Sequence, residues 1–303
     1  MKTQKAKIKC LALLSGGLDS ILAVKILQKQ GVEVTGLCFV SYFFNSKSAE
    51  KAAEQLKIKL KIVDISDEHL KMAKNPRYGY GKNMNPCVDC HLMMLRKAKE
   101  IYCRLCESRQ CGFDFIATGE VLGERPMSQN KQMLKMLEDK SGLKGYLLRP
   151  LSARLFKPTI PEKEKLIDRD KLLTLSGRNR KKQIALAKKW GIKNYPTPSG
   201  GCLLTDPGFS KRLKELFNRW PNCEGNDVEL LKLGRHFWIR DDKIIVGRNK
   251  GENSEIKKLF LKKDVLIEPN FPGPTILIRS KGKVLKRSMN KAEELMERYS
   301  GKK

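Results

Sequence analysis

The sequence predicts an α/β fold, a doubly wound parallel sheet, followed by a smaller C-terminal α+β region. Three observations predict it. A glycine-rich turn, Ser15-Gly16-Gly17-Leu18-Asp19-Ser20, joins a short apolar run to a segment with helical periodicity. Apolar runs then alternate with helix-period segments as far as residue 118. Beyond residue 234 the pattern changes to short β-like runs separated by turns.

The elements follow in order. Residues 8–14 (Ile-Lys-Cys-Leu-Ala-Leu-Leu) read as a buried strand. Residues 21–30 read as a helix, with Ile21, Leu22, Val24, Ile26 and Leu27 on its apolar side and Gly31 as its stop. A second strand spans 32–40, a second helix 49–56 and a third strand 60–65. A further helix covers 92–106, and a buried strand at 113–118 runs into Gly119-Glu120. Residues 144–193 are dominated by Lys and Arg and contain Ser176-Gly177-Arg178-Asn179-Arg180-Lys181-Lys182, the start of a helix that ends at Trp190. The turn-rich segment 195–201 leads to Cys202. A boundary is expected at 207–225, where Pro207, Gly208, Pro221 and Gly225 flank a helix; it divides the chain into domains 1–215 and 216–303. In the second domain β-like runs are expected at 237–240, 243–247, 265–267 and 275–279, with a closing helix at 290–299.

The chain has 303 residues, enough for two domains, and 40% of them are hydrophobic, enough for a sizeable core. With 62 Lys+Arg against 33 Asp+Glu the net charge is +29. Such an excess predicts a polyanionic partner, nucleic acid first and an acidic membrane surface second. The apolar run that follows the basic N-terminus is too short for a secretion signal or a membrane span, so no membrane role is expected. Nine cysteines without such a signal point to a reducing cytoplasm, where thiols serve as nucleophiles or ligands before they serve as disulfides.

A loop that leaves a strand and opens a helix is where backbone N–H groups and the helix dipole receive phosphate. Gly16 and Gly17 allow close backbone approach, Ser15 and Ser20 offer hydroxyls, and Asp19 either organises the loop or reaches a phosphate-bound Mg²⁺. No Gly-Lys-Ser/Thr follows, so this is not a Walker A loop. The motif resembles the SGGxDS signature of PP-loop ATP pyrophosphatases, of the adenine nucleotide alpha-hydrolase-like fold. The resemblance implies ATP as cofactor, with its pyrophosphate held by Ser15, Gly16, Gly17, Asp19 and Ser20. It also implies adenine near Phe39 at the end of the second strand, with Thr118 and Gly119 beside the nucleotide. Glu120 stands where tRNA-thiolating members carry His.

Cys87 and Cys90 lie in Asn85-Pro86-Cys87-Val88-Asp89-Cys90, just ahead of a helix, where a thiol ionises more easily. Cys202 lies in Ser199-Gly200-Gly201-Cys202, a turn that would expose it. This pairing resembles the tRNA thiolases of the PP-loop class. The resemblance implies Cys90 and Cys202 as catalytic thiols together with Asp19. They would act either through a persulfide and a transient disulfide or through a [4Fe–4S] cluster on Cys87, Cys90 and Cys202. Four thiolates from Cys87, Cys90, Cys103 and Cys106 form an alternative zinc set, disfavoured because one straight helix would hold the two pairs about 20 Å apart. Cys10, Cys38, Cys111 and Cys223 read as packing residues, and His69, His91 and His236 as surface or packing residues.

Arg178, Arg180, Lys181 and Lys182 flank these segments and are candidate RNA phosphate contacts. The polar loop 124–130 follows the Gly119 strand end, where ligands enter α/β sheets, and suits RNA, nucleotide or a plain connection. Residues from Gly234 onward, above all Val246-Gly247-Arg248-Asn249, resemble the RNA-binding domain of NFACT proteins, which implies Arg235 and Arg248 as phosphate contacts and Trp238 as a stacking platform. Together the resemblances imply an ATP-dependent tRNA sulfurtransferase that adenylates a uridine carbonyl and replaces its oxygen with sulfur from a persulfide carrier or sulfide. An amide-forming PP-loop ligase or amidotransferase and a non-catalytic RNA-binding protein are the alternatives.

Overall fold

In the computed structural model of the protein, residues 7–107, 112–197 and 201–300 are described, with backbone alone for 103–107. The chain divides into two compact units, Met1–Cys202 and Leu203–Lys303. The sequence places the boundary a few residues later.

The first unit begins with strand β1 (Lys9–Leu13) and helix α1 (Leu18–Gln28). Strand β2 (Glu33–Val40), helix α2 (Lys47–Leu56), strand β3 (Lys59–Asp64) and helix α3 (Ser66–Lys74) follow. Then come α4 (Cys87–Glu107), β4 (Phe115–Ala117), α5 (Lys131–Ser141), β5 (Leu147–Leu148), the short α6 (Ile160–Lys163) and α7 (Lys181–Lys189). The five strands form one parallel sheet in the order β3-β2-β1-β4-β5. Strand alternation splits the core in two. Cys10, Ala12, Val34 and Cys38 pack with α1, α2 and Ala187 of α7, whereas Leu11, Leu37 and Phe39 pack with Val88, Leu92 and Leu95 of α4 and Leu137 of α5. The sheet is thus covered on both faces, which is what the run of apolar residues in β1 requires.

Two starts differ from expectation, and both matter. Helix α1 begins at Leu18, so Asp19 and Ser20 belong to its first turn. Helix α4 begins at Cys87, so Cys87 and Cys90 also sit in a first turn and not ahead of one. Because Cys87, Cys90, Cys103 and Cys106 all lie on this one helix, the two pairs stand about 20 Å apart along the axis, and the four-thiolate zinc set is excluded. Cys111 lies outside the described residues. Helices α3 and α5 and strand β5 have no counterpart in the sequence reading. Strand β5 is only two residues long, too short to carry a period.

The second unit contains α8 (Pro207–Arg219), α9 (Gly225–Leu230), β6 (Arg235–Ile239), β7 (Asp242–Val246), α10 (Lys250–Lys258), β8 (Val265–Ile267), β9 (Ile276–Arg279) and α11 (Lys286–Tyr299). Its four strands pair antiparallel in the order β6-β7-β9-β8. Helix α11 covers one face through Ala292, Leu295 and Met296 against Ile244, Val246, Ile276 and Ile278. No described helix is long and apolar enough to cross a membrane.

Candidate active site

The phosphate loop connects β1 to α1 at the C-terminal edge of the parallel strands, the position where such sheets bind ligands. Gly16 has φ +77°, and a Cβ on it would lie 2.2 Å from the carbonyl carbon of Ser48. The loop therefore rests on the first turn of α2, and only glycine fits. Gly119 closes the other side, since a Cβ there would lie 2.5 Å from the Ser20 nitrogen. Ser20 Oγ donates to the Gly17 carbonyl at 2.8 Å, and the Gly17 N–H donates to Ser15 Oγ at 3.3 Å. Gly17 caps α1 without a side-chain acceptor, so the first-turn N–H groups point to the loop opening unpaired by any cap. Phe39 is buried in the core beneath this edge and offers structure to an adenine site more than open surface.

Asp19 is flanked by Arg180, Gln183, Glu124 and Arg125. Burial raises its carboxyl, and the two arginines oppose the shift. Its Oδ1 is buried without a hydrogen-bond partner, and so is Nε of Arg180. Glu124 is pushed up to about 7, by burial first and then by the Asp19 charge. Arg180, assigned to RNA from the sequence, is therefore part of the phosphate-loop environment.

Thr118 and Glu120 continue the strand end. Glu120 is 7% exposed and accepts from Arg149 Nε (2.9 Å) and Thr118 Oγ1 (3.0 Å), with His91 Nδ1 at 3.0 Å. Burial works against its charge, but Arg149 and His91 outweigh it and hold the carboxyl at about 2. Glu120 thus ties α4 to the nucleotide edge, a role that no local sequence signal announces.

The thiols meet here. Cys202, although 112 positions from Cys90, lies close enough that its charge, like that of Cys87, acts on the Cys90 thiol. Among the described cysteines, Cys87, Cys90 and Cys202 are half-buried. The expected ease of ionisation at the helix start is not found: burial raises both Cys87 and Cys90, outweighing the lowering by Arg125 and, at Cys87, by a backbone hydrogen bond. The donor type suits a soft metal or an iron–sulfur cluster. Yet among the described residues no three His, Cys, Asp or Glu are gathered as around a metal ion. The three thiols thus fit a [4Fe–4S] cluster by type but not by arrangement. Cys10, Cys38 and Cys223 are buried packing residues, and residues 198–200 lie outside the described residues.

Of the RNA candidates, Arg178, Lys181 and Lys182 are exposed at the start of α7. In the second unit Arg235 lies over the Tyr299 ring (4.4 Å), and Arg248 forms an ion pair with Glu252. Trp238 is not an open stacking platform. Arg219 and Lys243 lie 5.0 and 4.8 Å from its ring centroid, and Trp220 meets it edge-on at 5.0 Å.

A five-stranded parallel sheet with a glycine phosphate loop at one edge defines a nucleotide-binding α/β protein. A family model described as the tRNA methyl transferase HUP domain matches residues 8–166, and the chain belongs to that family. Residues 234–303 match the NFACT protein RNA binding domain. A tRNA-specific 2-thiouridylase of Clostridium tetani is 26% identical over 88% of this chain and 73% of its own length. Another, of Helicobacter hepaticus, is 30% identical over 46% of this chain and 42% of its own length, so the chain spans less than half of that relative. A solved 4-thiouridine synthetase in complex with RNA and ATP is 19% identical, with a TM-score of 0.42, over 73% of this chain and 53% of its own.

Proposed function

We propose that the chain is an ATP-dependent tRNA sulfurtransferase. The observation that carries the reading is the glycine phosphate loop at the strand edge, with Cys87 and Cys202 near enough for their charges to act on Cys90. Arg125 acts on Asp19 and on both Cys87 and Cys90, so one side chain faces the two halves of the site.

A uridine carbonyl oxygen is a poor leaving group until it is activated. In this reading the carbonyl oxygen attacks the α-phosphorus of ATP, and pyrophosphate departs into the donors of α1 and the Arg180 guanidinium. Asp19 Oδ1, buried and unpartnered, is the atom that would meet Mg²⁺, which when bound offsets phosphate charge. A persulfide donor loads an outer sulfur onto Cys90 or Cys202; that sulfur attacks the activated uridine carbon, and AMP leaves with the carbon–oxygen electron pair. The other cysteine thiol then attacks the inner sulfur, releasing the thiouridine and forming a disulfide that an external thiol reduces. Arg178, Lys181 and Lys182, with Arg235 and Arg248 of the second unit, are proposed to contact RNA phosphates, in keeping with the net charge of +29. A reducing, cytoplasmic setting suits these thiols. A [4Fe–4S] cluster on the same thiols, which fits them by donor type alone, is the second reading.

The test is tRNA thiolation with ATP, read by mass spectrometry of nucleosides, alongside RNA-dependent ATP–pyrophosphate exchange. Cys90→Ala and Cys202→Ala are expected to lose thiolated nucleoside at least 100-fold and to retain exchange. Retained thiolation in both variants rules out sulfur transfer through these thiols. Stoichiometric iron and sulfide in anaerobically purified protein would select the cluster route, and their absence the persulfide route.

A further inference from the structure

The loop 123–130 carries Arg125, to which the catalytic reading assigns no step. It is folded on itself: the Gly123 N–H donates to the Gln129 carbonyl at 2.7 Å and the Gln129 N–H to the Arg125 carbonyl at 2.8 Å. One side is fastened to the segment that carries Arg180, where Leu122 and Ser176 form a β-bridge and the Gly177 N–H donates to the Leu122 carbonyl at 2.7 Å. The other side is fastened to the segment that carries Cys87. Met127 packs on Gly81, its sulfur 3.0 Å from the position of a Cβ there, and the Gly81 N–H donates to the Asn85 carbonyl at 2.8 Å. Asn130 secures the base by donating to the Pro126 carbonyl at 2.9 Å while capping α5. The loop therefore spans from the phosphate loop to the thiols, and Arg125, exposed, sits on that span.

We propose that Arg125 stabilises the AMP that departs in the sulfur-transfer step. The proposal rests on the sulfurtransferase reading. With hydrosulfide as donor, sulfur bonds to the uridine carbon and the carbon–oxygen bond breaks. Its electron pair leaves with AMP, and the proton of hydrosulfide ends on the ring nitrogen. The phosphate begins as a singly charged diester and ends as a doubly charged monoester. One negative charge therefore develops on an oxygen that must lie between nucleotide and thiol, where Arg125 is held. A cation placed there binds the transition state more tightly than the adenylate, and this raises the rate of the step instead of the affinity for ATP. Arg180, beside Asp19, serves the opposite end, the departing pyrophosphate.

The experiment compares wild type, Arg125→Gln and Arg125→Lys with ATP, sodium sulfide and bulk tRNA from cells lacking this protein. Thiolated nucleoside and ATP–pyrophosphate exchange are read in parallel. Arg125→Gln is expected to slow sulfur transfer at least about tenfold more than it slows exchange, and Arg125→Lys to recover part of that difference. Equal losses in both reactions would place Arg125 in adenylation or loop folding and overturn the proposal, as would transfer by Arg125→Gln within about threefold of wild type. A wild-type chain that forms no thiouridine would overturn the sulfurtransferase reading and this proposal with it, whereas active wild type with an active Arg125→Gln overturns this proposal alone.

Discussion

The Arg279 cluster of the second unit and the phosphate loop of the first treat buried charge differently. In the second unit Arg279 is fully buried, and its donors are met: Nε and Nη2 by Asp264, Nη1 by Asn226 and Asp227, and Nη2 also by the Leu259 carbonyl. In the first unit Arg149 is met in the same way by Glu120, Glu138 and the Leu134 carbonyl. At the phosphate loop, however, Asp19 Oδ1 and Arg180 Nε are buried and unmatched. Saturated clusters hold structure, because every lost partner leaves a buried charge alone. The unsaturated pair lies at the strand edge where a ligand can complete it. The second unit has unmatched atoms too, in His236 and Lys243. Lys243 is 1% exposed and lies under the Trp238 ring, and burial lowers its ammonium to about 7.

Four measurements sharpen or break this contrast. Arg279→Ala would strand Asp264 and Asp227, and it is expected to destabilise the second unit by about 3–5 kcal/mol in denaturant unfolding. A loss below about 1 kcal/mol would mean that the cluster is not structural. Gly16→Ala would force a Cβ into the Ser48 backbone at a positive φ, and ATP affinity measured by calorimetry should fall about 100-fold, roughly 2.7 kcal/mol. Unchanged affinity would dismiss the loop as the phosphate site.

The third measurement concerns His69, which is fully buried against Phe43 and Phe44 with Nδ1 2.9 Å from Ser41 Oγ. Burial lowers its pKa from 6.5 to about 4. As pH falls between these values the unfolded chain takes up a proton before the folded one does, so stability is lost. The loss should be about 2 kcal/mol between pH 7 and pH 5, and His69→Gln should flatten that slope. The smallest effect is expected from Lys243→Met, which removes a buried ammonium without a hydrogen-bond partner and should raise unfolding stability by about 1 kcal/mol. A marked loss would show that the Trp238 contact outweighs the cost of burial.

Much of the fold was legible because it is written in local periods. Strands β1, β2 and β3 and helices α1 and α2 fall within a few residues of their expected places, and so do β7, β8 and β9. The misses have physical causes. Helix α10 starts at Asn249, whose side chain accepts from the Glu252 N–H, within a segment too polar to show a face. Helix α5 begins in the same way at Asn130. The first turns of α1 and α4 hide in their motifs, because Gly17 and Pro86 read as loop residues although the chain is already turning into helix. The thiols were expected to ionise readily from their helix position, but burial in the folded chain dominates the dipole.

What the sequence determined by itself is the phosphate loop: glycines at 16 and 17, between an apolar strand and a helix, permit the positive φ and the close approach to Ser48 that a side chain would block. The cysteine segments were also legible, as two separate pieces. Only the tertiary structure brought Cys202 to Cys90, set Arg180 beside Asp19, and stretched residues 123–130 between the nucleotide edge and the thiols. These meetings join residues more than a hundred positions apart. They follow from the parallel order β3-β2-β1-β4-β5, which delivers every strand end to one edge, and no local window of sequence contains that order.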